Sequence, residues 1–204
     1  MIDVTRDGDL FTVILNRPEK ANALTADMLK TLIHTVTELR GSAKAVVFTG
    51  AGSVFSAGAD LDEAPNGLAV SQDWDRLSSA IAALPCLTIC ALNGTLAGGA
   101  FGMALACDLR LSVPTAKFFY PVMRLGFLPQ PADPVGMAQL IGPSRTKMIL
   151  MAGEKVQADE ALAWGLVDRI IAPDQLLSTA RSLCASALAA EASHIQGIKE
   201  LTSQ

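Results

Sequence analysis

Apolar and polar positions follow two different periods along the chain, and the change of period predicts strands followed by helices. Alternating apolar residues in Ile2 to Asp7 and Leu10 to Asn16, split by Gly8-Asp9, predict an antiparallel hairpin. From Thr25 to about Leu39 the apolar residues recur at helical spacing, and Thr25 is a suitable N-cap. The continuous apolar run Ala45 to Thr49 is typical of a strand buried on both faces.

The same alternation of short strands and helices continues to the end of the chain, which predicts an α/β fold class. The further predicted strands are 87–91, 109–113, 117–120 and 168–172, and the further predicted helices are 74–84, 144–151, 158–164 and 175–190.

The segment from Pro121 to Pro134 contains four prolines and predicts a rigid loop. Asp133 stands directly before Pro134, where it fits the N-cap of a helix that runs to about Leu140. A second interpretation is that the Asp133 carboxylate reaches a ligand pocket. The residues alone leave both interpretations open.

Two glycine-rich turns each follow a predicted buried strand. One runs from Gly50 to Leu61, and the other is Gly98-Gly99, which is predicted to open a helix. Glycine is costly in a first helical turn, but it leaves bare main-chain N–H groups there that can bind an anion or a developing oxyanion. The alternative is that these small residues only allow another backbone to pack closely.

The composition of the chain argues against several classes of function and location. The chain has 204 residues, half of them hydrophobic, which fits one domain with an appendage. A net charge of −4 without a basic run argues against nucleic acid as the main partner. The apolar runs are too short for a membrane span, and the N-terminus does not resemble a secretory signal, so a cytoplasmic location is expected. The four cysteines are expected to be reduced core residues, and no metal site is predicted.

Four motifs occur in the order found in the crotonase family, the enoyl-CoA hydratase and isomerase superfamily. They are NRPEKANAL (Asn16 to Leu24), FSAGADL (Phe55 to Leu61), NGTLAGGAFGMALACDLRLS (Asn93 to Ser112) and AWGLVDRII (Ala163 to Ile171). The chain resembles this family from about residue 2 to 192. The resemblance implies a crotonase-like spiral of repeated ββα units with C-terminal helices. We expect residues 1–142 to form the spiral core with the coenzyme A and oxyanion site, and residues 143–204 to form a C-terminal helical segment that is short for the family.

The resemblance also implies a coenzyme A thioester as substrate, without a further cofactor, and assembly as homotrimers or pairs of trimers. In the family, two main-chain N–H groups hold the thioester oxygen as it becomes an enolate, and these belong here to Ala59 and Gly99. The coenzyme would be bound by residues of the two earlier motifs. These are Arg17, Lys20, Ala21, Ala23, Ala57, Asp60 and Leu61.

For some of these expected coenzyme-binding residues, more than one role is open. Arg17 or Lys20 is expected either to meet a phosphate of the coenzyme or to be an exposed cation without a partner. Asp60 is expected to brace its turn through its backbone.

The chain departs from the family at the residues that move protons. Hydratases of the family use two glutamates, and their positions are occupied here by Gly102 and Val122. A third position used by some isomerases and dehalogenases holds Gln130, which can hydrogen-bond a water molecule but cannot act as an acid or base. Asp133, three residues later, is the remaining carboxylate candidate.

Three functions follow from these residues. The first is an acyl-CoA hydratase- or isomerase-like enzyme, not an ordinary two-glutamate hydratase, with Asp133 or a water held by Gln130 in the proton-transfer role. The alternative is a catalytically inactive protein that binds coenzyme A thioesters. A serine hydrolase using Ser56 is disfavoured, because His34 and His194 are not expected near the pocket.

Overall fold

The computed structural model describes residues 1–202 and contains two sheets surrounded by helices. The strands are β1 (Ile2–Asp7), β2 (Leu10–Leu15), β3 (Ala45–Gly50), β4 (Val54–Ser56), β5 (Leu87–Leu92), β6 (Thr95–Ala97), β7 (Leu109–Ser112), β8 (Lys117–Phe119), β9 (Val156–Gln157) and β10 (Arg169–Ile170). The helices are α1 (Ala26–Leu39), α2 (Asp73–Ala82), α3 (Phe101–Ala106), α4 (Val122–Leu125), α5 (Ala132–Leu150), α6 (Ala158–Trp164), α7 (Leu176–Ala189) and α8 (Ala192–Thr202).

The larger sheet has six strands in the order β1-β2-β3-β5-β7-β10. β1 and β2 form the predicted antiparallel hairpin, and every later neighbour pairs in parallel. β3 and β5 lie in the middle of this sheet, and their side chains are almost all buried, as the continuous apolar runs predict.

The smaller sheet has four strands in the order β4-β6-β8-β9. Each of its first three strands follows a strand of the larger sheet in the chain, and a helix comes next, so the unit ββα is repeated three times. The predicted α/β class with repeated ββα units is therefore confirmed. Because β4 and β6 pair in parallel, the glycine-rich segments that follow them lie at the same edge.

Helix α1 begins as the sequence predicts. The Thr25 hydroxyl accepts a hydrogen bond from the Met28 N–H at 3.2 Å, which is the N-cap geometry. A second N–H of the first turn, on Ala26, donates to the Glu63 carboxylate at 2.8 Å. The loop after the first glycine-rich turn is thereby fastened to the start of α1.

Helix α5 is bent at Gly142, whose φ of 78° is not helical, and Pro143 follows. The predicted boundary between residues 142 and 143 falls at this bend. After it, β9 and β10 each add a strand to one of the two sheets. The division into a spiral core and a C-terminal segment stays a prediction.

The four cysteines are buried and form no disulfide. Within residues 1–202 no group of three or more His, Cys, Asp or Glu side chains is arranged to hold a metal ion. In the same part of the chain, no helix combines the length and apolarity needed to cross a membrane.

Candidate functional site

The two glycine-rich turns are in contact with each other. A Cβ atom built on Gly58 would lie 2.8 Å from the Ala97 carbonyl oxygen and 3.2 Å from the Gly98 Cα. Gly58 and Gly98 also have φ values of 90° and 57°, in the region that favours glycine. Close packing and left-handed backbone therefore both require glycine here, and they bring the following residues, Ala59 and Gly99, to one wall of a pocket.

The start of the helix after the second turn differs from the prediction. Gly98–Ala100 form a 3-10 turn, and α3 begins only at Phe101. A helical turn does open at Gly98 and Gly99, as predicted, but it is a 3-10 turn, and the α-helix itself starts one turn later. In residues 1–202 the N–H groups of Ala59 and Gly99 have no acceptor within hydrogen-bond distance. Both groups are available to a ligand.

The pocket beside these N–H groups has a volume of about 210 Å³ and mostly apolar walls. Ala57 and Leu61 line it beside Ala59, and Leu61 is 79% exposed at its rim. Val122, at one of the two predicted glutamate positions, also lines the pocket and contributes only an apolar surface.

Trp74 is a pocket residue that the sequence analysis missed. Its ring lies against Gly99, where a Cβ atom would come within 3.0 Å of the ring. The indole N–H donates to the Leu68 carbonyl at 2.8 Å, which fixes the orientation of the ring. The sequence indicated only that Trp74 begins a helix, so no signal in the sequence placed it beside the second glycine turn.

The loop of the first motif is paired with the first glycine-rich turn. The Leu24 N–H donates to the Gly58 carbonyl at 2.8 Å, and the Asp60 N–H donates to the Leu24 carbonyl at 2.9 Å. The Ala57 N–H donates to the Ala21 carbonyl at 3.0 Å. The predicted coenzyme-binding residues of both motifs are therefore brought together, with Ala23 buried and Lys20 exposed.

Asn22 organises this loop, and the sequence analysis also missed it. Its side chain is fully buried and its amide donates to the carbonyls of Ala51 and Val54 at 2.9 and 2.7 Å. Its side-chain oxygen accepts from the Arg17 N–H at 2.8 Å. The residue also has a φ of 52°, which asparagine tolerates better than most residues.

Replacement of this asparagine is expected to be costly. Asn22→Ala removes three hydrogen bonds, and of their partly buried main-chain partners only the Val54 carbonyl keeps a second donor, on Asn93, so the free energy of unfolding should fall by about 3 kcal/mol. Denaturant unfolding measures the change. Asn66→Ala, which removes one exposed hydrogen bond to the Asp62 carbonyl, is the matched control and should cost less than about 0.5 kcal/mol. Equal losses in the two variants would contradict the role assigned to Asn22.

Arg17 is not the unpaired cation that one interpretation of the sequence expected. Its guanidinium donates to the Asp60 carboxylate at 2.5 Å and to the Ala23 carbonyl at 3.1 Å. Asp60 braces its turn through main-chain hydrogen bonds with Leu24 and Ala64, as expected. Its buried carboxylate adds to this, since it also accepts from the Asp62 N–H at 2.9 Å. Lys20 also has a partner, Asp62 at 3.8 Å, although both side chains are exposed.

The ion pair predicts an acid-dependent loss of stability. The hydrogen bond from Arg17 holds the pKa of Asp60 below its ordinary value of 3.8, although burial opposes this. A lowered pKa contributes stability that is present above pH 4 and is lost as the pH falls through the lowered pKa. Thermal unfolding of Asp60→Asn between pH 2 and 7 should therefore show a smaller acid-induced decrease than the wild type. A decrease of the same size in both proteins would contradict the assignment.

The Asp133 carboxylate lies beside Tyr120 and Gly102. Asp133 is 1% exposed, and its carboxylate accepts a hydrogen bond from the Tyr120 hydroxyl at 2.9 Å. A Cβ atom on Gly102 would lie 2.9 Å from the Asp133 Oδ1, so the missing side chain at this predicted glutamate position makes room for a different carboxylate. Tyr120 lines the pocket that contains Ala59 and Gly99.

Two details of the proline-rich segment differ from the prediction. It is not entirely a loop, since α4 forms within it. The N-cap of α5 is Pro131, and Asp133 lies inside the first helical turn without making a capping hydrogen bond. The N-cap interpretation of Asp133 is therefore wrong, because the helix begins two residues earlier and the carboxylate is turned toward Tyr120.

The surroundings of Asp133 and Tyr120 change the acidity of both. Burial raises the pKa of Asp133 from 3.8 to about 7, and the negative charge of Asp75 adds to this, while the hydrogen bond from Tyr120 opposes it. Burial and the neighbouring Asp133 raise the pKa of Tyr120 far above its ordinary value, so its hydroxyl stays neutral at physiological pH. The pair thus combines a carboxyl group that titrates near neutrality with a neutral hydroxyl at the pocket wall.

Gln130 and Ser56 have structural partners. The Gln130 amide donates to the Ala69 carbonyl at 3.0 Å, so this donor is already used within the protein. Ser56 is buried, and its hydroxyl donates to the Asn22 carbonyl at 2.8 Å and accepts from the Gly58 N–H at 3.1 Å. These bonds make Ser56 a structural part of the turn. A serine nucleophile would also need a histidine beside it, but His34 and His194 are exposed and lie outside the pocket.

Comparisons with known proteins give consistent matches along nearly the whole chain. The family model described as enoyl-CoA hydratase/isomerase matches residues 5–204. The chain is 31% identical over 190 residues to the short-chain-enoyl-CoA hydratase of Clostridium acetobutylicum, covering 87% of this chain and 71% of that protein. It is 33% identical over 208 residues to 4-chlorobenzoyl coenzyme A dehalogenase-2 of an Arthrobacter species, covering 97% and 75%.

A crystal structure of an enoyl-CoA hydratase from Bacillus anthracis superimposes with a TM-score of 0.91. It is 27% identical to this chain, and the match covers 100% of this chain and 82% of that one.

Proposed function

The chain belongs to the enoyl-CoA hydratase/isomerase family, and we propose that its pocket holds an acyl-CoA thioester and stabilises the enolate oxyanion with the N–H groups of Ala59 and Gly99. Two N–H donors fixed before the reaction favour the charged enolate over the neutral thioester, and each typically contributes a few kcal/mol. The observation that carries the proposal is the contact of Gly58 with Ala97 and Gly98, since it places two unpaired N–H groups on one pocket wall.

The coenzyme in this proposal lies along the two paired motifs. Lys20, Ala21 and Ala23 in the first motif and Ala57 and Leu61 in the second supply its surface. Leu61 is a large apolar residue that is 79% exposed at the rim, so a bound ligand would bury it. Arg17 and Asp60 contribute chiefly by holding the two motifs together, because their charged groups are paired with each other.

Proton transfer in this proposal runs through Tyr120 to Asp133. The hydroxyl of Tyr120 accepts a proton from the acyl group while its own proton passes to the Asp133 carboxylate, 2.9 Å away. The negative charge left on the substrate resides on the enolate oxygen, next to Ala59 and Gly99. Because the pKa of Asp133 is about 7, both of its protonation states are populated near neutral pH, as general acid–base catalysis requires.

The proposed reaction is an isomerase-type proton shift rather than hydration. One relay can remove a proton from one carbon of the acyl group and return it to another, which leaves the protein unchanged and consumes no water. Hydration needs a second group that activates water, and Gly102 and Val122, at the positions of the two family glutamates, cannot do this.

A second candidate is a protein that binds coenzyme A thioesters without turning them over. The observation that favours it is the burial of Asp133, which does not itself line the pocket and meets it only through Tyr120. In this case the N–H groups of Ala59 and Gly99 would serve recognition of the thioester oxygen alone.

One experiment separates the two candidates. A panel of saturated and unsaturated acyl-CoAs is incubated with the protein in D₂O, and mass spectrometry measures deuterium in the acyl group and any shift of the double bond. Thermal unfolding measures binding in parallel, since a bound ligand raises the melting temperature. Binding with deuterium uptake supports the enzyme, binding without uptake supports the second candidate, and the absence of binding contradicts both.

A further inference from the structure

The structure contains a second carboxylate, on Asp75, close to the proposed proton acceptor. Oδ1 of Asp75 is buried without a hydrogen-bond partner, the one such side-chain oxygen or nitrogen among residues 1–202. Buried carboxylate oxygens are normally hydrogen-bonded, because leaving one unpaired is unfavourable. The residue as a whole is partly exposed, since it also lines a solvent-open groove of about 780 Å³ that we call the rear groove.

Three observations place the Asp75 carboxylate near Asp133. Asp75 and Ser78 lie one turn apart on the same face of α2. Ser78 Oγ and Asp133 Oδ1 both occupy the space that a side chain on Gly102 would fill. Gln130, one turn before Asp133, lines the rear groove together with Asp75. The Asp133 carboxyl is therefore bonded to Tyr120 of the thioester pocket and lies close to Ser78, which is one helical turn from Asp75.

We propose that Asp75 is a positioning residue whose negative charge adds to the effect of burial and helps to hold the proton on the Asp133 carboxyl. This inference rests on the proposed function, because it concerns the regulation of the same site. Two negative charges that are close together and poorly solvated repel each other strongly. The more deeply buried of the two carboxyl groups therefore retains its proton. Asp133 is that carboxyl, at 1% exposure.

Among the charged and titratable groups around Asp133, Asp75 is the one whose charge adds to burial in favouring the protonated form. Tyr120 faces Asp133 from the end of β8 and stays neutral, and its hydrogen bond favours the ionised carboxylate. Arg76, next to Asp75 on α2, is directed to Asp73 at 3.0 Å and is largely exposed. In residues 1–202, Asp75 is thus the group whose charge favours the protonated form of Asp133.

The test compares Asp75→Asn with the control Asp73→Asn. Asp73 lies on the same helix, but its carboxylate is paired with Arg76. Carboxyl ¹³C resonances of aspartate-labelled protein are followed between pH 4 and 9, and the Asp133 resonance is assigned by its loss in Asp133→Asn. The Asp133 midpoint should be about one pH unit lower in Asp75→Asn and unchanged in Asp73→Asn. Asp75→Glu should restore the wild-type midpoint.

The same variants give a second readout in the deuterium-uptake assay. Uptake requires the ionised form of Asp133, so a midpoint about one unit lower should raise the rate at pH 6 about fivefold in Asp75→Asn. A merely structural role for Asp75 would lower the rate at every pH. If the wild type shows no uptake, the proposed function fails while the ¹³C titration still tests Asp75.

An unchanged Asp133 midpoint in Asp75→Asn would overturn the inference. If that variant does not fold, Asp75→Ser removes the same charge with a smaller polar side chain and is read by the same titration.

Discussion

Asp133→Asn is expected to abolish deuterium uptake into the acyl group and, at the same time, to stabilise the protein at pH 8. Asparagine cannot accept a proton, so uptake should fall by a factor of about 10² to 10⁴, the range of general base catalysis. It can still accept the hydrogen bond from Tyr120, so the pocket wall should be retained. Binding of acyl-CoA, measured by thermal shift, should be nearly unchanged.

The gain in stability follows from the pKa of Asp133, which is raised from 3.8 to about 7 in the folded protein. Between these values the folded state holds a proton that the unfolded state has released, so the free energy of unfolding falls as the pH rises from about 4 to about 7 and stays lower above that range. Removing the titrating group should raise the free energy of unfolding at pH 8 by an amount on the order of 2 to 4 kcal/mol. At pH 3 wild type and variant should be nearly equally stable.

The comparison of the two pH values is the internal control for this prediction. Urea unfolding at pH 3 and pH 8 gives both free energies. Tyr120→Phe is the companion variant, since it removes the hydroxyl at 2.9 Å and should reduce uptake to a similar degree without removing the titrating carboxyl. Unimpaired uptake in both variants would remove Tyr120 and Asp133 from the proton-transfer role.

Gly58→Ala is expected to cause the second large loss, in both stability and oxyanion binding. An added Cβ atom would lie 2.8 Å from the main-chain oxygen of Ala97, and the φ of 90° is unfavourable for alanine. The neighbour is backbone, which cannot rotate away, so the two turns must separate. We expect the free energy of unfolding to fall by more than about 2 kcal/mol and uptake to fall by about 10² to 10³, as when an oxyanion-hole donor is lost.

Gly67→Ala is the matched control for this variant. Gly67 has a φ of 100°, but an added Cβ atom would meet nothing within 4 Å. Gly67→Ala should therefore lose the stability that alanine costs in a left-handed backbone, but it causes no clash. Gly67 also lies outside the pocket. If both glycine variants lost the same stability and Gly58→Ala kept full uptake, the contact between the two turns would not be needed for the site.

The hairpin, α1 and the buried strands could be predicted from the sequence because local periodicity encodes them. The cap of α1 by Thr25 is a contact between residues three apart, so it is visible in the order of the residues. The alternation of strands and helices predicted the α/β class and the motif resemblance identified the family, and the fold and the family match confirm both. The assignments of Ala59 and Gly99 as oxyanion donors stay proposals that the geometry supports.

The hydrogen-bond partners of Arg17, Asn22 and Asp133 could not be predicted, because those partners lie well outside the local sequence. Arg17 meets Asp60 across 43 residues, and the contacts of Asn22 reach residues 29 and 32 positions away. The start of α5 was misplaced because Asp133-Pro134 is also a good local signal for a helix start, and no local signal reveals the buried partner Tyr120.

The sequence by itself determined the strands of the larger sheet, the two glycine-rich turns and the absence of a glutamate at positions 102 and 122, but not the short strands β4, β6 and β9. Only the tertiary structure decided that Gly58 touches Gly98, that Trp74 covers Gly99, and that the space beside Gly102 is filled by the carboxyl of Asp133. The physical reason is that periodicity and turn preference act over a few residues, whereas burial, close packing and a shifted pKa depend on which distant elements meet.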